Sequence, residues 1–214
     1  MEPLKVSNVV CTMEISIDSK VLSKAVEFFM KYGVKSVSMD DIARGLGISK
    51  KTLYQQVDSK ADLLKQALLF HLEFEKSFVT NARHEADDAV EEMVTISKFI
   101  INILRQHKPS LSYEVQKYYP EAWEMIEAFN QEFIGQFVLQ NIEAGIKEGY
   151  YRDDVNPVVM QRLYVARMPV LVDMDVFPID EFPRAELYEQ FITHHMRGLM
   201  TSKGIKRFDK ILAQ

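Results

Sequence analysis

The chain of 214 residues carries 26 Lys and Arg against 31 Asp and Glu, a net charge of −5, and is 47% hydrophobic. That content supplies a packed core for one larger domain or two modest ones, and no apolar run approaches the roughly 20 residues that span a bilayer. A single cysteine, Cys11, excludes an internal disulfide and fits a reducing cytoplasm, and the opening residues lack the basic start and long apolar core of a secretory signal.

Residues 1–16 read as an N-terminal arm. A first helix is predicted from about Ser19 to Tyr32, with Val21, Leu22, Ala25, Val26 and Phe29 inward and Gly33 as terminator. The stretch from Ser38 to Leu64 is denser in signals. Ser38 can cap a helix opening at Met39, with Asp41 three positions on to reach back. Asp40 and Asp41 also sit at the positive end of that helix dipole. Ile42, Ala43 and Leu46 form its buried stripe, and Ala43, four residues before Gly47, suits a close crossing followed by a sharp turn. Ile48 plugs the turn, Ser49 can cap again, and Leu53 returns to the shared core. Two short helices joined by a glycine turn form a helix-turn-helix, whose second helix enters the DNA major groove.

Ser59 and Asp62 predict another capping box, opening a helix through Leu63, Leu64, Ala67, Leu68, Leu72 and Phe78. A helix over Asp87 to His107 is stopped by Pro109, and a short segment over Leu111 to Tyr119 precedes Pro120. Pro120 suits the first turn of a long helix through Trp123, Ile126, Phe133, Phe137 and Ile142, ending near Gly149. Asn156 and Pro157 open Val158 to about Phe177, which Pro169 should kink or divide. Pro183 opens the last long helix, with Leu187, Phe191, Met196 and Leu199 in register. The expectation is an all-α chain of about nine helices. Its boundaries are an arm over 1–16, a three-helix DNA-binding domain over 17–62 and a helical body over 63–214.

The stretch from Lys20 to Leu64 resembles the DNA-binding domain of TetR-type transcriptional regulators. The resemblance rests on Ala25 with Phe28-Phe29, Gly33, Ser38, Ile42-Ala43, Gly47-Ile48-Ser49, Leu53-Tyr54, and Ser59-Lys60 before Leu63. Two positions depart from the family pattern. Gln56-Val57 stands where a Tyr or His followed by Phe is usual, and Lys51 stands where Gly is frequent. The segment Gly145 to Arg152 is similar to the Gly-x-x-x-Gly turn that precedes the family's closing helices.

On this reading the candidate DNA-binding residues are Ser38, Ser49, Lys50, Lys51, Thr52, Tyr54, Gln55, Gln56 and Lys60. Lysines, hydroxyls and backbone amides at a helix start can meet phosphate, whereas glutamine can pair bidentately with adenine. Charge placement agrees: residues 1–60 hold nine Lys and Arg against seven Asp and Glu, the remainder 17 against 24, and local lysines rather than net charge meet phosphate. The resemblance also implies a small-molecule cavity in the body. Candidate effector residues are Phe99, Trp123, Met125, Phe129, Phe133, Phe137, Met160, Tyr164 and Met168. Soft Met among rigid aromatics suits an adaptable apolar ligand, although at helical spacing most such residues serve a core.

A single recognition helix reads too few base pairs to select a genomic site. A homodimer reading a palindromic double-stranded operator is therefore expected, and the resemblance implies pairing through the last two long helices, about Val158–Phe177 and Pro183–Thr201. No catalytic set, cofactor motif or membrane span is apparent. His194 and His195, adjacent on a helix, point about 100° apart and make a poor metal chelate. The implied function is a cytoplasmic ligand-responsive repressor. An activator of the same architecture, a sequence-indifferent DNA-binding protein and a helical small-molecule enzyme with a vestigial DNA-binding head remain open.

Overall fold

The computed structural model describes residues 17–213; the expected arm over 1–16, with Cys11, lies outside them. Eleven α-helices follow one another among the described residues: α1 (Ser19–Tyr32), α2 (Met39–Leu46), α3 (Lys50–Tyr54), α4 (Lys60–Glu85), α5 (Ala89–Gln106), α6 (Leu111–Tyr118), α7 (Pro120–Phe129), α8 (Gly135–Lys147), α9 (Pro157–Val172), α10 (Arg184–Leu199) and α11 (Ser202–Leu212). A π-helical turn over Asn130–Ile134 joins α7 to α8, so the two form one rod and the helical rods number ten among those residues. The all-α expectation holds.

Two compact units divide the described residues, 17–75 with 110–132 and 76–109 with 133–213. In the first unit, α1 starts at Asp18, whose carboxylate accepts from the Lys20 amide at 2.9 Å. It ends where Gly33, at φ 81°, turns its amide back to Phe29. The apolar faces of α1 to α4 meet on Leu22, Ala25, Val34, Ile42, Leu53 and Leu63, each fully buried. Val115 of α6 and Ala122 of α7 join the same core, although the sequence reading placed both helices in the body. Glu114 of α6 explains part of this: its buried carboxylate accepts the Lys35 amide at 2.9 Å and the Ser110 hydroxyl at 2.9 Å.

The second unit packs α5, α8, α9, α10 and α11 with the end of α4. Its centre is Val90, Met93, Val138, Ile142, Tyr151, Met196 and Leu199. A polar network runs through this apolar interior. The Arg83 guanidinium donates to Glu92 at 2.6 Å and to the Phe137 carbonyl at 3.1 Å. Asn141 donates to Glu92 at 2.5 Å and to the Ala89 carbonyl at 2.9 Å, and the Tyr151 hydroxyl reaches Asn141 at 3.1 Å. A buried carboxylate is tolerable only when paired in this way.

Four sequence expectations change here. The helix from Pro120 is interrupted by the π turn, which ends immediately before Gly135. The helix opened by Asn156 and Pro157 stops at Val172 rather than near Phe177, three residues beyond Pro169. Asp62 reaches back to the Asp58 amide at 3.1 Å rather than to Ser59, while the Ser59 hydroxyl accepts from the Asp62 amide at 3.1 Å. Finally, α11 was not anticipated. It is capped by Thr201 and tied to the start of α5 by Arg207, which meets Asp88 and Glu91 at 2.7 Å each.

Candidate nucleic-acid interface

The helix-turn-helix is built from local hydrogen bonds that the sequence specifies. The Ser38 hydroxyl accepts the Asp41 amide at 3.1 Å, while the Ser38 amide and hydroxyl donate to the Asp41 carboxylate at 2.9 and 2.6 Å. Those bonds, the hydroxyl first, hold the Asp41 carboxyl below the usual carboxylate range. After α2, Gly47 adopts the left-handed conformation at φ 69° and ψ 24°, which a residue with a side chain enters only at a cost. Ser49 then caps α3, accepting the Thr52 amide at 3.0 Å, and its hydroxyl pairs with that of Thr52 at 2.8 Å. Leu53, fully buried, pins α3 to the core.

Pinning Leu53 inward turns the rest of α3 outward. Lys50, Lys51, Thr52, Tyr54 and Gln55 are all exposed, and Tyr54 keeps 44% of its surface accessible. This is the edge a major groove would meet. Lys51 has no ion-pair partner among the described residues. Lys50 is engaged: its ammonium meets Asp40 at 2.9 Å with both side chains about half exposed, and that hydrogen bond raises its pKa. Such an exposed pair is weak, and a phosphate can replace the carboxylate.

Three candidates stand apart from that edge. Ser38 is committed to the α2 cap. Gln56, past the end of α3, accepts the Asp18 amide on its side-chain oxygen at 3.3 Å and so ties α3 to the start of α1. Its neighbour Val57 is buried, filling the core position where the resemblance leads one to expect phenylalanine. Lys60 opens α4 partly buried; burial lowers its pKa, opposed by the charges of Glu114 and Asp41.

Two contributors escape sequence reading. Asp40 is ten residues from the lysine it holds, and nothing in the spacing marks the pair. Gly45 passes so near the Phe28 side chain of α1 that a Cβ there would lie 2.7 Å from its ring, while Ala43 is itself buried.

The effector candidates divide between the units. Trp123, Met125 and Phe129 lie on α7; Met125 and Phe129 are buried, and Trp123 packs on the first core. Phe99 stacks on Phe78 with centroids 3.8 Å apart. Phe137 and Tyr164 are core residues of the second unit, against which Phe133, Met160 and Met168 pack. The Tyr164 hydroxyl lies 3.3 Å from that of Tyr188. His195 is buried beside this pair, with Nε2 unpartnered. Among the described residues no cluster of three or more His, Cys, Asp or Glu could hold a metal ion. Among the same residues no helix is long and apolar enough to cross a membrane.

A capped, glycine-hinged helix pair presenting a lysine-bearing edge on an all-α chain defines a helix-turn-helix DNA-binding regulator. Residues 21–67, from α1 into α4, match the model of the family described as bacterial regulatory proteins, tetR family. The chain is 35% identical over 74 residues to YezE, an uncharacterized HTH-type transcriptional regulator of Bacillus subtilis, a match spanning 35% of this chain and 38% of that one. It is 23% identical over 188 residues to YvaF, a second uncharacterized HTH-type regulator of that organism, covering 86% of this chain and 95% of the other. A transcriptional regulator from Cytophaga hutchinsonii shares the fold, with a TM-score of 0.69 at 18% identity over 86% of this chain and all of that one. Residues 21–67 thus carry the DNA-binding segment of the tetR family of bacterial regulatory proteins.

Proposed function

We propose that the protein is a repressor that binds a palindromic operator as a homodimer and is released from it by a small-molecule effector. The observation that carries this reading is α9. One side of that helix is buried on Tyr164 and Val165, yet Val159, Leu163, Ala166 and Val170 form a second stripe that is exposed. Their spacing of four, three and four residues keeps them on one face, and an exposed apolar stripe marks an interaction surface. A second copy meeting it with α9 and with Leu187, Phe191 and His194 of α10 would bury it about a two-fold axis.

Dimerisation supplies what one short α3 lacks, since two recognition helices can read half-sites roughly 34–36 Å apart or a multiple of it. In this reading Lys50, Lys51, Thr52, Tyr54 and Lys60 hold phosphates, Gln55 lies nearest the base edges with Thr52 beside it, and Gln56 braces α3 on α1. Effector binding acts through α4, whose residues run from one unit into the other, by favouring a dimer whose two heads no longer match the half-site spacing.

The test is sedimentation equilibrium combined with operator selection from genomic fragments. The wild type should be a dimer that selects inverted repeats, and Leu163→Glu should be a folded monomer with greatly weakened operator binding. A wild-type monomer, or a Leu163→Glu variant that still dimerises, would remove this assignment.

A further inference from the structure

Between α5, α10 and α11, wholly within the second unit, runs a groove of about 260 Å³. Its floor is apolar. Val94, Ile192, Met196 and Phe208 are buried beneath it, and Ile101 and Leu212 edge it. The α5 wall carries Lys98 and Arg105, seven residues and two turns apart, hence on one face and about 10 Å apart along the axis. Arg105 faces Glu189 across the groove at a loose 3.8 Å, with both side chains more than half exposed. Lys98 is paired with no carboxylate among the described residues.

We propose that this groove binds a medium-chain carboxylate, with its alkyl chain on the apolar floor and its charge at Lys98. Charge decides the sign of the ligand: two cations line the wall against one carboxylate, and one of those cations is unneutralised. Size decides the length. At ~30 Å³ per water the groove has room for roughly nine waters, which fits an acid of about eight carbons better than a long-chain one. Glu189 and Thr193 lie roughly 150° around α10 from the face of Leu187, Phe191 and His194, so occupancy does not require the stripe assigned to a second copy. The site therefore stands or falls independently of the dimer.

Calorimetric titration of the full-length protein with butanoate, hexanoate, octanoate and decanoate tests this. Affinity should rise about fourfold per methylene up to octanoate and then level off. Octan-1-ol and octylamine should each bind at least about fivefold more weakly than octanoate. Lys98→Gln should weaken octanoate by roughly three- to fivefold while leaving octan-1-ol unchanged. Thr193→Trp, which fills the groove from its partly exposed rim, should abolish both while circular dichroism stays that of the wild type. Affinity independent of chain length, octylamine binding as well as octanoate, or octanoate binding unchanged in both variants would each overturn the proposal.

Discussion

Acidification should destabilise this protein through one imidazole. His195 is 8% exposed, its ring against Tyr164 and Phe191, and Nε2 lacks a partner. Burial first, then the positive charges of Arg167 and His194, hold its pKa at about 4 against an ordinary 6.5. The folded state thus keeps the ring neutral, whereas the unfolded chain takes up a proton near pH 6.5. This contribution to stability is complete above that pH, falls as the pH drops toward 4, and is wholly lost below. The full gap corresponds to about 3 kcal/mol, of which about 2 kcal/mol is lost by pH 5.

Urea unfolding of the wild type and of His195→Leu at pH 7 and pH 5, at one protein concentration, isolates the effect because other titrating groups cancel in the difference. At pH 7 the variant should be at least as stable, since leucine removes an unpartnered buried polar atom. At pH 5 it should lead by about 2 kcal/mol. A difference that does not change between the two pH values would refute the reasoning.

Other outcomes are expected by the same logic. Glu92→Ala leaves Arg83 and Asn141 without their shared carboxylate and should cost about 3–5 kcal/mol in urea unfolding, whereas Glu121→Ala, which breaks the exposed pair with Lys65 at 2.8 Å, should leave the urea midpoint almost unchanged. A Cβ at Gly204 would lie 2.2 Å from the Tyr150 carbonyl oxygen, while one at Gly198 meets nothing within 4 Å. Gly204→Ala should therefore lower the thermal midpoint, at about 1–3 kcal/mol or more, and Gly198→Ala should be neutral or stabilising by up to about 1 kcal/mol. For DNA, Lys51→Ala should weaken binding to every duplex and lower the salt slope by about one in a fluorescence titration, while Gln55→Ala should relax one base position. A slope unchanged by Lys51→Ala would contradict a phosphate contact there.

The parts of this fold that local chemistry controls were legible. Ser38, Ser49 and Asn156 each cap the helix their position announced, because a cap is a bond between neighbours in sequence. Gly33 and Gly47 each take the positive φ that their place at a helix end implied. What stayed hidden depends on partners distant along the chain. Glu92 looks like any helix-surface carboxylate until Arg83 and Asn141 close around it. Gly45 looks like a weak point in α2 until Phe28 fills the space beside it, and nothing near Gln56 in sequence announces its bond to the Asp18 amide. The apolar candidates on α7 read as one ligand-lining set with those on α8 and α9, since periodicity reports burial without saying in which core. The short α11 has a clear apolar face but follows α10 after only Met200 and Thr201, with no Gly or Pro to separate them.

The π turn at Asn130–Ile134 falls where the chain passes from one packing unit to the other, between Glu132 and Phe133. A π turn accommodates one more residue than the α ladder it interrupts, and each residue advances the helix by about 100°. The helical run from Pro120 to Lys147 is therefore rephased midway, with Ala122 in the core of the first unit and Phe137, Val138 and Ile142 in that of the second. Deleting a single residue at this turn would restore an unbroken helix and aim one of the two halves at the wrong neighbours.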